Sequence, residues 1–295
     1  MFKRMGLFFI VNILVMITIS IVVNVTGVNR YITQYGINLP ALIAFCLIWG
    51  MSGSFISLLL SKTIAKMAMG VQLINPQNPG SYGFLLEMVN RMSNDANIPM
   101  PEVGVYNSPE INAFATGPSK KNSLVAVSTG LLNGMNRAEL EGVLGHEITH
   151  ISNGDMVTMT LIAGIVNSFS LFLSRIVSFL IVKAISRGES NNGGYFIRII
   201  LTVVLDIIFS ILGTLVVALF SRRREFKADI GGGRLAGKQN MIAALENLQR
   251  KFDPVDERGA SLASLKISGR KGFLQLFSTH PPLEKRIEAL KNARI

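Results

Sequence analysis

Four apolar stretches, each long enough to cross a bilayer, constrain this 295-residue chain more than any other feature. They cover residues 7–27, 39–60, 157–182 and 199–220. A helix needs about 20 apolar residues to span the hydrocarbon core. Lipid satisfies no backbone hydrogen bonds, so such segments must be helical. With 49% hydrophobic residues, the chain reads as a multi-pass α-helical membrane protein rather than a soluble one. Lys3 and Arg4 precede the first stretch, as in a signal peptide. That stretch is too long for a signal sequence and no small-residue cleavage site follows, so it is expected to stay as an anchor. The net charge of +11 is explained by topology. Lys3, Arg4, Lys62, Lys66 and Arg222 to Arg224 flank the spans on one side. The positive-inside rule then puts the termini and residues 61–156 in the cytoplasm. Lys183, Arg187 and Arg198 on the other side weaken that asymmetry. No basic–aromatic interleaving or zinc-finger spacing points to nucleic acid. The single cysteine, Cys46, lies in an apolar run and excludes both an intrachain disulfide and a cysteine metal site.

Two charges sit inside the second apolar pair, Arg175 and Asp206. Charges at membrane depth are costly. Either they pair inside the bundle, or the hairpin is only partly inserted, or Arg175 is solvated in a cavity. The domain pattern is therefore 1–60 as an N-terminal transmembrane hairpin, 61–156 as the first part of a soluble domain, 157–220 as a second hydrophobic hairpin, and 221–295 as the second soluble part.

In the soluble parts, Phe84, Leu85, Met88, Val89 and Met92 recur at helical spacing. Short strand-like runs follow at 102–106, 113–116 and 123–128, punctuated by turn residues. The next helix begins at Asn136, with Glu139 completing a capping box, and ends at Asn153-Gly154. Residues 254–278 read as a mobile loop. A last helix follows Pro281 and Pro282, with Leu283, Ile287 and Leu290 on one face. Three glycines at 231–233 cost about 1 kcal/mol each in a helix relative to alanine, so they predict close packing or a helix end.

The 136–153 helix carries two of the chain's three histidines, His146 and His150. Four residues apart, they stand one above the other on one helix face. Glu147 lies between them, about a quarter-turn away. This is the H-E-x-x-H spacing: two zinc ligands and a general base for an activated water. A catalytic zinc needs a third protein ligand and an open position. "RREFKAD" offers Glu225 and Asp229, again one turn apart. One carboxylate can bind the metal and the other can accept the N–H of a ligand imidazole.

The stretches "GHEITH", "NGDMVTMT", "SRRREFKAD", "INAFATG" and "STHPPLEKRI" resemble the HtpX-type membrane metalloproteases, relatives of the type I CAAX prenyl proteases. The likeness runs nearly end to end. It implies that His146, His150 and Glu225 bind one Zn2+ per chain, that Glu147 is the catalytic base, and that Asp229 supports the site. The implied fold is an α-helical membrane protein with four spans and an α+β, zincin-like (gluzincin) cytoplasmic domain, in which a small sheet packs on the H-E-x-x-H helix. The implied activity is a zinc metalloendopeptidase of the bacterial inner membrane, serving proteolytic quality control under stress. Its partners would be the lipid bilayer and unfolded or damaged membrane proteins, cut at cytoplasmic segments, with no nucleic acid and the oligomeric state open.

His280 is the first candidate for a donor to the oxyanion, followed by Arg286. Asn112, Ala113, Phe114 and Ala115 are expected to form an edge strand to which an extended substrate adds. Three rivals stand beside this reading: an intramembrane protease, a channel, transporter or scaffold with an incidental H-E-x-x-H, and a CAAX-type processing protease. The charged neighbours Arg137, Glu139, Glu141 and Asp155 argue against placing the motif inside the bilayer.

Overall fold

The computed structural model describes residues 17, 21, 25, 32–33, 36–185, 192–252 and 277–295. Most of the first predicted span and most of the 254–278 loop lie outside the described residues. Two compact units are present. One comprises Met1–Ser57 with Met159–Val217, the other Leu58–Thr158 with Ala218–Ile295.

Within the first unit lie parts of three long apolar helices: α1 (Leu39–Met69), α5 (Asp155–Ile185) and α6 (Asn192–Ala236). Each is long and apolar enough to cross a membrane. A two-residue pair of strands, β1 (Ile32–Thr33) and β2 (Gly36–Ile37), precedes α1. Outward positions are large and apolar, among them Phe55, Ile165, Phe169, Val203 and Ile207. That suits contact with lipid rather than water. Arg175 and Asp206 are paired across α5 and α6, with Nη1 to Oδ1 at 3.0 Å. Ser174 also donates to Asp206, and the Arg175 guanidinium lies 5.3 Å from the Phe45 ring centroid. The costly charges thus neutralise each other inside the bundle.

The second unit is built on a mixed sheet with strand order β3-β4-β6-β5. Its strands are β3 (Gln72–Leu73), β4 (Glu102–Tyr106), β5 (Ala113–Ser119) and β6 (Asn122–Ser128). β4 runs parallel to β6, while β5 forms an antiparallel hairpin with it and is the edge strand. The period-2 alternation sorts the residues of β6. Val125 and Val127 face one core with Val103 and Val105. Leu124 and Ala126 face the other with Tyr106. The first core is completed by Leu85, Met88, Val89 and Met92 of α2 (Gly83–Asp95) and by Leu140, Leu144, Ile148 and Ile151 of α4 (Arg137–Asn153). The short α3 (Thr129–Gly134) leads into α4, capped by the Ser128 side chain. Burying each such aliphatic side chain contributes about 1.5–3 kcal/mol, so the strip fixes which face α4 turns to the sheet. The opposite face carries the two histidines.

The ends of α4 are set locally. The Asn136 side chain accepts from the Glu139 backbone N–H, and the Glu139 side chain accepts from the Asn136 N–H. Gly154 stops the helix at φ 68°, a left-handed conformation that favours glycine. The helices α7 (Lys238–Phe252) and α8 (Leu283–Asn292) pack through Met241, Ile242, Leu245, Ile287 and Leu290.

Close packing, not a helix end, explains the three glycines, since α6 continues to Ala236. A Cβ at Gly231 would collide with Thr149, and one at Gly232 would lie 2.9 Å from the His146 backbone nitrogen. On the facing helix, a Cβ at Gly145 would lie 3.0 Å from the Gly232 carbonyl. Absent side chains on both helices let the backbones of α4 and α6 nearly touch.

Candidate metal centre

That close approach sets Glu225 of α6 against His146 and His150 of α4. Glu225 is fully buried. One ligand atom from each of the three residues lies within 4.8 Å of the others. The two Nε2 atoms are 3.0 Å apart, and each is 3.4 Å from a Glu225 carboxylate oxygen. Both rings have the other nitrogen engaged. His146 Nδ1 is 2.9 Å from Asp229 Oδ1, and His150 Nδ1 is 2.6 Å from Asp155 Oδ2. A carboxylate at Nδ1 holds the proton there and leaves the Nε2 lone pair facing the shared point.

These residues fit a divalent metal. Two imidazole nitrogens and one carboxylate are the donor set of a catalytic zinc-type site with an open position. Glu225 Oε1 is buried with no hydrogen-bond partner among the described residues. Arg224 Nη2 lies 3.5 Å from it, beyond good hydrogen-bond distance, and a buried acceptor so placed is costly unless a closer donor or cation meets it. The electrostatics agree. Burial alone lowers the His150 pKa, but contact with Asp155 and Glu225 outweighs it and raises it to about 9. His146 is likewise raised, burial being overcome by Asp229 and Glu225. Burial pushes the carboxyl of Glu225 up, yet its three histidine partners hold it well below the usual carboxylate range. The pocket is one that stabilises positive charge.

Around this core stand the remaining residues. Glu147, half-buried on α4, is close enough for its charge to favour the protonated forms of His150 and Arg286. His280 is largely exposed, and its Nδ1 lies 2.8 Å from Glu225 Oε2. The Arg286 guanidinium is buried and occupied: it grips Asp229 through Nε at 2.8 Å and Nη2 at 2.6 Å. It also lies 3.7 Å from Glu225. Arg286, the second candidate for an oxyanion donor, thus has its Nε and Nη2 engaged by Asp229. Asp155 was visible in the sequence only as a flanking charge, yet it orients His150. The signal that would have found it is its position directly after the Gly154 turn, which folds the chain back toward the end of α4.

β5 packs beside α4. Asn112 lies just before the strand, with its backbone N–H and C=O both engaged by Ser128. Phe114 pairs with Ala126 in the same alternation, so the backbone groups of Ala113 and Ala115 point to the open edge.

Residues 83–294 match the family model "Peptidase family M48". The chain belongs to peptidase family M48. Within that family it is an HtpX-type membrane metalloprotease. It is 46% identical, over 99% of both chains, to the "Protease HtpX homolog" of Methylacidiphilum infernorum. It is 47% identical, over 98% of both chains, to the "Protease HtpX" of Thioalkalivibrio sulfidiphilus. A crystal structure of S. mikatae Ste24p superimposes on 98% of this chain and 67% of that one, with a TM-score of 0.66 at 18% identity. That likeness concerns the fold alone. Membership of M48 sets aside the scaffold and transporter readings.

Proposed function

We propose that this M48 protease is a zinc endopeptidase that cuts unfolded or damaged membrane proteins at cytoplasmic segments. The observation that carries the reading is the convergence of His146, His150 and Glu225 on one point beside an edge strand. A zinc ion held by these three residues would supply Lewis acidity, lowering the pKa of a water toward 7 and polarising the scissile carbonyl. Glu147 accepts the proton of the attacking water and returns it to the leaving amine. His280 donates to the developing oxyanion. Asp229 and Asp155 hold the two imidazoles in the tautomer that presents Nε2, and Arg286 keeps Asp229 ionised and in place. The open backbone groups of Ala113 and Ala115 bind an extended substrate as an added strand. Such contacts read backbone rather than side chains, so sequence preference is expected to be broad.

Three observations support a cytoplasmic placement of the site in a bacterial inner membrane. Lys62 and Lys66 lie at the end of α1. Arg222 to Arg224 follow the apolar part of α6. The curated relatives are bacterial-type HtpX proteases. The domain boundaries read from the sequence are proposed on the same basis.

The test is cleavage of an unfolded model protein by detergent-purified chain, wild type against Glu147→Gln, with and without added zinc after chelation. Zinc-dependent cutting by wild type alone is expected, with Glu147→Gln reduced by about 10²- to 10⁴-fold while retaining its metal. Equal activity of the two would remove Glu147 from the chemistry.

A further inference from the structure

The membrane unit carries an open groove of about 930 Å3 lined by α1, α5 and α6, with Ser57, Asn167 and Ser210 exposed along it. Its lining is unusual for a site at the middle of three apolar helices. Ser54, Ser57, Asn167 and Ser210 all border it. Their side chains make no hydrogen bond to another described residue. In hydrocarbon such groups are expensive unless something polar meets them. Asp206 also lines the groove, but Arg175 already neutralises it and Ser174 donates a hydrogen bond to it. The groove therefore favours neutral donors and acceptors over ions, and an acyl chain offers neither.

The shape narrows the ligand further. Gly53 and Ser57, one turn apart on α1, form a small-xxx-small pair of the kind that admits a second helix closely. A Cβ at Gly53 would meet nothing within 4 Å, whereas at Gly50 it would collide with Ser168 of α5. One small residue is thus used in packing and the other is open. A volume of about 930 Å3 holds roughly two turns of a helix of about 10 Å diameter.

We propose that this groove receives a partner's transmembrane helix bearing hydrogen-bonding side chains, and so selects membrane substrates whose spans carry misplaced polar groups. The proposal rests on the proteolytic reading above and deepens it by naming what marks a substrate. Asparagine, glutamine, serine or threonine at the centre of a substrate span would exchange hydrogen bonds with Asn167, Ser57 and Ser210. A uniformly leucine-rich span could not.

The experiment uses the full chain in lipid bilayers with three substrates. Two are membrane proteins sharing one cleavable cytoplasmic segment, with an all-leucine span or a span carrying central Asn and Ser. The third is a water-soluble unfolded protein. Wild type is expected to cut the polar-span substrate about three- to tenfold faster than the leucine-span one. Gly53→Leu and Asn167→Leu are expected to erase that preference and leave cleavage of the soluble protein unchanged, which also shows that they fold. Soluble cleavage without span preference in wild type, or preference retained in both variants, overturns the proposal alone. Failure of wild type to cut even the soluble protein overturns the proteolytic reading on which it rests. A photo-crosslinking side chain at position 57, in a Glu147→Gln background, should capture the polar span. Capture only of lipid, or of the chain's own 7–27 segment, counts against the proposal.

Discussion

Asp155 Oδ2 lies 2.6 Å from His150 Nδ1, so a residue at the first turn of α5 orients an imidazole at the last turn of α4. Losing such a partner typically costs 10- to 100-fold in metal affinity. Asp155→Ala is expected to weaken zinc binding by about that factor, read by competition with a chromophoric chelator. Asp155→Asn retains an acceptor for the Nδ1–H and should recover most of the loss. Identical affinity in all three proteins would show that His150 needs no help from Asp155.

Arg286 and His280 both reach Glu225 but are expected to fail differently. Arg286 is buried and bidentate on Asp229. Removing one partner of a buried ion pair strands the other, which costs about 3–5 kcal/mol. Arg286→Ala should therefore lower the melting temperature markedly. His280 is largely exposed. His280→Ala should leave the melting temperature unchanged and, at saturating zinc, lower kcat by about 10²- to 10³-fold. Near-normal turnover in His280→Ala would dismiss its role at the oxyanion.

Gly232→Ala tests the helix contact. The new Cβ would lie 2.9 Å from the His146 backbone nitrogen and 3.1 Å from its Cα. Neither atom is the end of a flexible side chain, so α4 and α6 must separate. Overpacking of this kind costs about 1–3 kcal/mol. The melting temperature and metal affinity should fall together, because the same separation pulls Glu225 from the histidines. A stable protein with full metal affinity would show that the contact has slack.

Glu102 gives a pH dependence away from the site. Burial, the largest single influence, raises its pKa, but the hydrogen bonds and charges of Lys62 and Lys66 together outweigh it and hold it below the usual carboxylate value. A depressed folded pKa stabilises above the unfolded pKa, about 4.3 for Glu, and the gain is lost as pH falls through the folded value. The pair is partly exposed, so the effect is at most about 1 kcal/mol. Glu102→Gln should melt slightly below wild type at pH 7, and the gap should close in acid. A gap independent of pH would point to packing instead.

Local patterns in the sequence settled much of this protein. The capping box at Asn136 and Glu139, the Gly154 stop, strand β4 and the apolar face of α2 all depend on residues a few positions apart. So does the stacking of His146 over His150. Their physics is short-range, and spacing alone reveals it. The pairing of Arg175 with Asp206, left open by the sequence, needed the packing of α5 on α6. The triple glycine read only as a cost until α4 was placed against it. The clamp of Arg286 on Asp229 joins residues 57 positions apart, and no local pattern announces it. Tertiary packing decided these, because the partner of a buried charge is whichever group the fold brings within reach.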